Sequence, residues 1–409
     1  MQPLVAEYDN MLRCIRCAAC LTSCPTYVVT HKEEEGPRGR IAMLRAIVEG
    51  HLDVTPDAIE HLDNCVLCEA CTNVCPAGVQ MESMGVAFRE SLAATRPNGG
   101  RSVPVRFAFA WLFGDLAHFR LLATLIWLYQ RSGVQWLARH SGMLRVLGMQ
   151  AMESMLPPVP APGRFVVPKG QTIGQGQPVH VFAGCIMSTA FATTTTATAR
   201  LVAAFGCQAE LTGGQVCCGA LQLHAGDVAR ARELARQNVT AFGAGDAPIV
   251  VNAAGCGAML KHYGHLLPDE PRAAAMAARV RDVSEFLAQH QPIRPPREVR
   301  STVTLQDACH LLHAQRIASA PRQLLRSIPG LELRDLAEAE ICCGSGAMYN
   351  VSHPALSAEL QQRKCASIAA TGSKVVVTGN PGCLVQLQAG LPRDIRVRHI
   401  VDVLAEAYL

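Results

Sequence analysis

Apolar residues return every three or four positions at Ile41, Leu44, Ile47 and Val48, with Gly50 behind them. This spacing predicts a helix that stops at the glycine. Thr55-Pro56-Asp57 opens a second helix, with Thr as N-cap and Pro in the first turn. Trp111, Phe119, Leu122 and Ile126 recur at roughly helical spacing further on. From Val179 the rhythm changes to short apolar runs that read as strands: Val179 to Cys185, Pro248 to Asn252, Val303 to Cys309 and Lys374 to Thr378. Longer segments lie between them and read as helices, one from Asp227 to Phe242 stopped by Gly243 and one from Pro354 to Ala370 stopped by Gly372. The alternation predicts an α/β layer with a largely parallel sheet.

This second half is written twice. The first copy has Cys185, then Cys217-Cys218-Gly219, then Gly255-Cys256; the second has Cys309, then Cys342-Cys343-Gly344, then Gly382-Cys383. Cys185 and Cys217 are 32 residues apart and Cys309 and Cys342 are 33; Cys218 and Cys256 are 38 apart and Cys343 and Cys383 are 40. The predicted strands place these thiols past carboxyl ends, where open α/β sheets bind ligands. Adjacent Cys suit a core poorly, because neighbours on a strand point to opposite faces. A metal or redox site in each copy explains all eight Cys, with the adjoining glycine letting backbone approach a bulky inorganic group. Two sites, one site at the joint between the copies, or a redox-active thiol pair all fit. Cys207 and Cys365 have no counterpart and read as packing residues. His310 and His313 are at most supporting residues beside Cys309.

The first hundred residues carry a denser cysteine pattern. Cys14-x-x-Cys17-x-x-Cys20-x-x-x-Cys24-Pro25 is repeated with the same spacing as Cys65-x-x-Cys68-x-x-Cys71-x-x-x-Cys75-Pro76. This is the bacterial ferredoxin arrangement for two [4Fe–4S] clusters, in which the fourth Cys of each run serves the other cluster. It assigns Cys14, Cys17, Cys20 and Cys75 to one cluster and Cys65, Cys68, Cys71 and Cys24 to the other. Structural zinc usually takes two CxxC pairs or mixes in His, which fits poorly here. Arg38 and Arg40 either offset cluster charge or simply solvate a helix start, and Glu33, Glu34 and Glu35 read as solvated loop.

Composition narrows the picture. A net charge of +4 is too mild to argue for a nucleic-acid partner. Only 17% of residues are charged, so partners are expected to cover part of the surface. The 18 Cys occur in a long chain whose start, Met1 to Arg13, has no apolar signal region, which points to a reducing cytoplasm and thiolates kept for metal. The most apolar run, Leu121 to Tyr129, is too short for a transmembrane span, which takes about 20 residues. From Ser91 to Met152 there are seven Arg against one acid, Asp115, and all three Trp. That stretch can lie on an anionic membrane surface or pack against protein. Neither GxGxxG nor GxxxxGK[ST] occurs, and no Ser/His/Asp triad is recognisable. A two-electron substrate therefore needs a flavin or similar cofactor on another chain.

The expected architecture is an α+β multidomain chain. A helical two-cluster ferredoxin-like domain spans 1–98, a basic amphipathic helical connector 99–155 and a Pro/Gly linker 156–178. A duplicated α/β Cys-Cys-Gly domain follows, with copies over 179–290 and 300–409 joined by the proline-rich Gln291 to Arg297.

With the doubled CxxCxxCxxxCP, the two Cys-Cys-Gly repeats, Gly36-Pro-Arg-Gly-Arg-Ile41, Gly255-Cys-Gly-Ala258 and Asp307-Ala-Cys-His310, the chain resembles the iron–sulfur subunit of bacterial glycolate oxidase over essentially its whole length. The repeats are shared with heterodisulfide reductase, the small subunit of anaerobic glycerol-3-phosphate dehydrogenase and lactate-utilisation proteins. The resemblance implies a complex with FAD-binding subunits that oxidise glycolate to glyoxylate. Electrons would pass through this chain, itself not catalytic alone, to a membrane acceptor such as quinone. It also implies a cytoplasmic location, peripheral at the inner face of the membrane. Equivalent subunits for lactate or glycerol 3-phosphate, and a zinc-stabilised scaffold without redox activity, are the rival readings. The heterodisulfide reductase repeat ends in CxxC and can hold a non-cubane cluster. Here Ala253 and Asn380 replace the first Cys of that pair, which leaves four Cys per copy for an additional iron–sulfur cluster.

Overall fold

The computed structural model describes residues 1–95, 111–112 and 115–409. The expected boundary at residues 98 and 99 and the first part of the connector lie outside the described residues. Among those described, no helix is long and apolar enough to cross a membrane.

The amino-terminal part is helical, with α1 Pro37–Val48, α2 Pro56–Asp63 and α3 Met81–Thr95. Helix α1 buries Ile41 and Leu44, and Thr55 caps α2 by accepting from the Ala58 amide at 3.2 Å. These helices close a core of Leu4, Met11, Leu44, Leu62, Met84 and Phe88 beneath the two cysteine runs.

Glu35 is not solvated: it is 4% exposed and sits under α1. Arg40 Nη2 donates to its Oε2 at 2.7 Å, and His61 Nδ1 and Asn64 Nδ2 meet its other oxygen at 2.6 and 3.0 Å. Arg40 also donates to Thr26 Oγ1 and the His61 carbonyl. A charge this deep is tolerated because every partner is present. Arg38, by contrast, is partly exposed and paired with Glu33.

Helix α4, Leu116–Arg131, follows. It turns Leu116 and Ala123 inward, while Leu121, Leu125 and Leu128 remain about half exposed. Nine strands are described in two sheets, β1 Gln171–Ile173, β2 Gln177–Phe182, β3 Cys207–Leu211, β4 Ile249–Val251 and β5 Val280–Asp282, then β6 Ser301–Leu305, β7 Leu331–Arg334, β8 Val375–Thr378 and β9 Arg396–His399. The first sheet has the order β1-β3-β2-β4-β5 and the second β7-β6-β8-β9. All neighbours are parallel except β1 with β3. Residues 171–173 thus pair as an edge strand inside a segment whose composition reads as extended linker. Strands β2 and β6 end at Phe182 and Leu305, before the thiols that follow them. The early stop after β2 reflects Gly184, which turns the chain at φ +56.

The helices of the duplicated part are α5 Ala192–Ala204, α6 Ala220–His224, α7 Val228–Phe242, α8 Ala254–Lys261, α9 Pro354–Ala370, α10 Pro381–Gly390 and α11 Ile400–Tyr408. The two sheets share one core, in which Val179, Val181 and Val250 meet Val303, Leu305 and Val377 together with α5 and α11. The two copies therefore form a single packed body, and the chain after β4 meets the chain after β8, where the Ala254 amide donates to the Gly379 carbonyl at 3.1 Å.

Candidate functional site

In the first cysteine run the backbone turns left-handed at Arg16 and Ala18, and in the second at the equivalent Leu67 and Glu69. Non-glycine residues held there are strained by about 1–3 kcal/mol each. Repetition of the strain at equivalent positions fits two loops that each curl around a bulky group. Two small cavities result. Cys14, Cys17, Cys20 and Cys75 line one, together with Cys71. Cys24, Cys65, Cys68 and Cys71 line the other. The fourth Cys of each run thus faces the cavity of the opposite run. Burial pushes the Cys20 thiol up to about 11, and Cys68 and Cys71 well above the usual range. Thiolates there need a compensating positive charge, which bound iron would supply. Arg40 adds positive charge beside Cys65 and Cys24.

The surroundings of the two cavities differ. Cys17 and Ile15 at the first are exposed. The second lies inside the molecule, with Val66, Cys68 and Ala70 packed against Cys309, Cys342, Tyr349 and Leu360 of the second repeat.

In each repeat the four thiols follow three adjacent strands. Cys185 comes after the central strand β2, Cys217 and Cys218 after β3, and Cys256 at the start of α8 after β4. Cys309, Cys342, Cys343 and Cys383 follow β6, β7 and β8 in the same way. The chain leaves the central strand to one side and returns on the other, which opens a crevice at the carboxyl edge. Sγ of Cys185 lies 3.8 Å from that of Cys217, and Cys218 lies 3.4 Å from Cys256. Cys309 and Cys342 are 4.0 Å apart, and Cys343 and Cys383 lie in one buried cluster. In each quartet one thiol is favoured as thiolate: neighbouring thiols donate to Cys217 and to Cys342 and lower them, and raise their own values in doing so.

The Cys-Cys-Gly glycines also have a packing task. Gly344 adopts φ +85, and a Cβ there would meet the Ser357 carbonyl of α9 at 2.6 Å; Gly219 adopts φ +86 against Ala231 of α7. They let helix backbone close over the loop. Cys207 is buried in strand β3 within the core shared by the two sheets, and Cys365 is buried in helix α9 in the cluster that also holds Cys343 and Cys383.

Residues between the quartets were only partly legible. Asn380 donates from Nδ2 to Cys383 Sγ at 3.4 Å and accepts from the Gly255 amide at 3.3 Å, so it links the second quartet to the residue before Cys256. His310 Nδ1 lies 3.7 Å from Cys309 Sγ, whereas His313 is tied to the Glu340 carbonyl at 3.0 Å. Glu69, Glu82 and His224 carried no sequence signal. Burial pushes Glu69 up to about 8 and His224 down to about 4.

Residues 10–79 match the family described as 4Fe-4S dicluster domain, and residues 179–261 and 303–388 match the Cysteine-rich domain family. Residues 101–156 match the linker region of the glycolate oxidase iron-sulfur subunit. A probable glycolate oxidase iron-sulfur subunit of Bacillus subtilis (strain 168) is 39% identical, over 98% of this chain and 95% of the relative. The glycolate oxidase iron-sulfur subunit of Escherichia coli (strain K12) is 28% identical over the same shares. A lactate utilization protein of Shouchella clausii (strain KSM-K16) is 29% identical, over 55% of this chain and 98% of its own length. With its dicluster motif, its duplicated cysteine-rich domain and full-length kinship, the chain is an iron–sulfur electron-transfer subunit and belongs to the glycolate oxidase iron–sulfur subunit family.

Proposed function

We propose that this chain carries electrons from FAD-binding partner subunits, which oxidise glycolate to glyoxylate, to a membrane acceptor such as quinone, and that it does not turn over glycolate alone. Cys14, Cys17, Cys20 and Cys75 hold one [4Fe–4S] cluster, and Cys24, Cys65, Cys68 and Cys71 the other. When bound, the clusters supply one-electron carriers. The protein orders the thiols, excludes water from the inner cavity and sets the charge around it through Arg40. The observation that carries this reading is the pair of cavities, each lined by three Cys of one run and the last Cys of the other, with Cys71 between the two. The eight repeat thiols hold a further redox centre or centres on the same body.

Glycolate is preferred over lactate because the lactate utilization relatives align with only about half of this chain, 55% for that of Shouchella clausii. A peripheral position at the membrane is supported by the apolar face of Leu121, Leu125 and Leu128 on α4 and by exposed Trp136, Leu137 and Val146 beyond it, among Arg120, Arg131, Arg139 and Arg145.

The test is anaerobic purification followed by electron paramagnetic resonance. The chain should hold at least about eight iron atoms, four per cube. Cys20→Ser and Cys24→Ser should each damage a different cluster signal, and glycolate-dependent dye reduction should appear only when the flavoprotein subunits are added. Loss of the same signal in both variants, or turnover by the isolated chain at the rate of the complex, would refute the assignment.

A further inference from the structure

Three segments far apart in sequence meet beside the inner cysteine cavity. Glu82 belongs to α3 of the amino-terminal part, His224 ends α6 in the first repeat, and His310 opens the π-helical turn His310–Ala314 after β6 in the second. One ligand-capable atom from each lies within 4.8 Å of the other two. The His224 and His310 rings stack with centroids 5.6 Å apart and planes 27° apart. They border a cleft also lined by Glu69, Lys261 and His262.

The contacts these groups make with each other leave much unsatisfied. His224 Nε2 and Glu82 Oε1 are 3.3 Å apart, longer than a good charge-assisted bond. His310 turns Nδ1 toward Cys309, and its Nε2 is buried with no hydrogen-bond partner among the described residues. Such a nitrogen costs about 1–3 kcal/mol unless something accepts its hydrogen or takes its lone pair. Of the cations nearby, Lys261 is paired with Glu285 at 3.0 Å, Arg89 with Asp63 at 2.8 Å and with the His224 carbonyl at 2.9 Å, and Arg316 lies on the side of Glu69.

We propose that Glu82, His224 and His310 form a binding site for one divalent transition cation of the zinc class, which ties the ferredoxin-like part to both repeats. Two imidazoles and one carboxylate are a common zinc ligand set, with the remaining position open to water or to Glu69, whose carboxyl lies beside that of Glu82. Burial keeps the His224 imidazole neutral, the form in which it ligates. The site is separate from the thiols, because its ligands are nitrogen and oxygen only.

The experiment uses the full chain, purified anaerobically with its iron in place and equilibrated with Zn(II). Metal analysis should find one tightly held zinc beyond the iron. Zinc-edge X-ray absorption should show a nitrogen/oxygen shell at about 2.0–2.1 Å with imidazole scattering. Zinc should raise the thermal midpoint of the wild type. Glu82→Gln and His224→Asn should each weaken zinc binding by at least about 10-fold, with unchanged iron content. Absence of retained zinc, or a sulfur shell near 2.3 Å, overturns the proposal. So does wild-type zinc binding in both variants. If a variant loses its iron, the wild-type absorption spectrum decides alone.

Discussion

The two repeats carry the same four thiols after the same three strands, yet they face different neighbours. The first quartet is covered by Leu116 and Phe119 from the start of α4 and by Leu234 of α7. Its supporting groups are neutral: Asn238 donates to the Cys217 carbonyl at 3.0 Å, and Tyr263 Oη donates to the Cys218 carbonyl at 2.8 Å. The second quartet packs on Cys68 and Val66 of the inner cysteine run. The corresponding helix there supplies a buried lysine, Lys364, which donates to the carbonyls of Glu338 and Ala339 and lies within electrostatic reach of Cys342 and Cys343. The thiol positions are thus the same in both copies while the surroundings differ: the second quartet packs on Cys68 of the inner run, and the first meets the connector as well as Leu67 and Val86 of the amino-terminal part.

The comparison is broken most severely by removing thiols. Cys217→Ala with Cys218→Ala, and Cys342→Ala with Cys343→Ala, should each abolish electron flow to quinone in the assembled complex. The second pair should change the cubane resonance more strongly than the first, because its quartet packs directly with Cys68, whereas Cys218 reaches the inner run through the cluster that holds Leu67 and Cys65. Wild-type flow in both double variants would show that the repeats carry no redox role.

The aromatic supports give the next largest effect. Tyr349 Oη donates to the Asn64 carbonyl at 3.0 Å and bridges the second repeat to the amino-terminal part, whereas Tyr263 works within the first repeat. Each Tyr→Phe change strands a buried carbonyl and should cost about 1–3 kcal/mol in denaturant unfolding. Tyr349→Phe alone should also make the amino-terminal part easier to digest with protease.

Lys364→Met should lower the reduction potential of the second repeat's centre. The loss of one buried positive charge is expected to move it on the order of 60 mV, the one-electron equivalent of ~1.4 kcal/mol. Potentiometric titration reads this directly, and the first repeat's centre should not move. A shift in both would mean that the two quartets share one site.

The smallest effect concerns pH. Burial, with His265 nearby, pushes His262 in the first repeat down to about 4. A base depressed in the folded state favours folding fully above its ordinary value near 6.5, and that stability is lost as pH falls toward 4. Between pH 6.5 and 5.5 the loss from this group should be about 1 kcal/mol. His262→Gln should flatten that part of the thermal stability profile; an unchanged slope would exclude the group.

What sequence disclosed follows from how local each signal is. Helix α9 has the bounds read from the chain, because Pro354 and Gly372 punctuate it. The parallel alternation was legible because Ile249, Val250 and Val251 form a continuous apolar run, as a strand buried on both faces requires. The burial of Glu35 was hidden: three acids in a row read as surface, and two of the partners that permit burial, His61 and Asn64, lie 26 and 29 residues away. The edge strand β1 escaped notice because it forms only by pairing with β3, from Gln171 opposite Leu211 to Ile173 opposite Ala209. Glu82, His224 and His310 converge from three units, so no window of sequence contains them together.

The central claim is that the repeat thiols lie on the electron path beyond the ferredoxin-type clusters, and rapid-freeze electron paramagnetic resonance tests it most directly. The complete complex, reduced with glycolate, is mixed with a quinone, and the cubane signal is followed in wild type and in the Cys342→Ala, Cys343→Ala variant. The account predicts rapid loss of the signal in wild type and its persistence in the variant. Decay of the signal at the wild-type rate in the variant would contradict it.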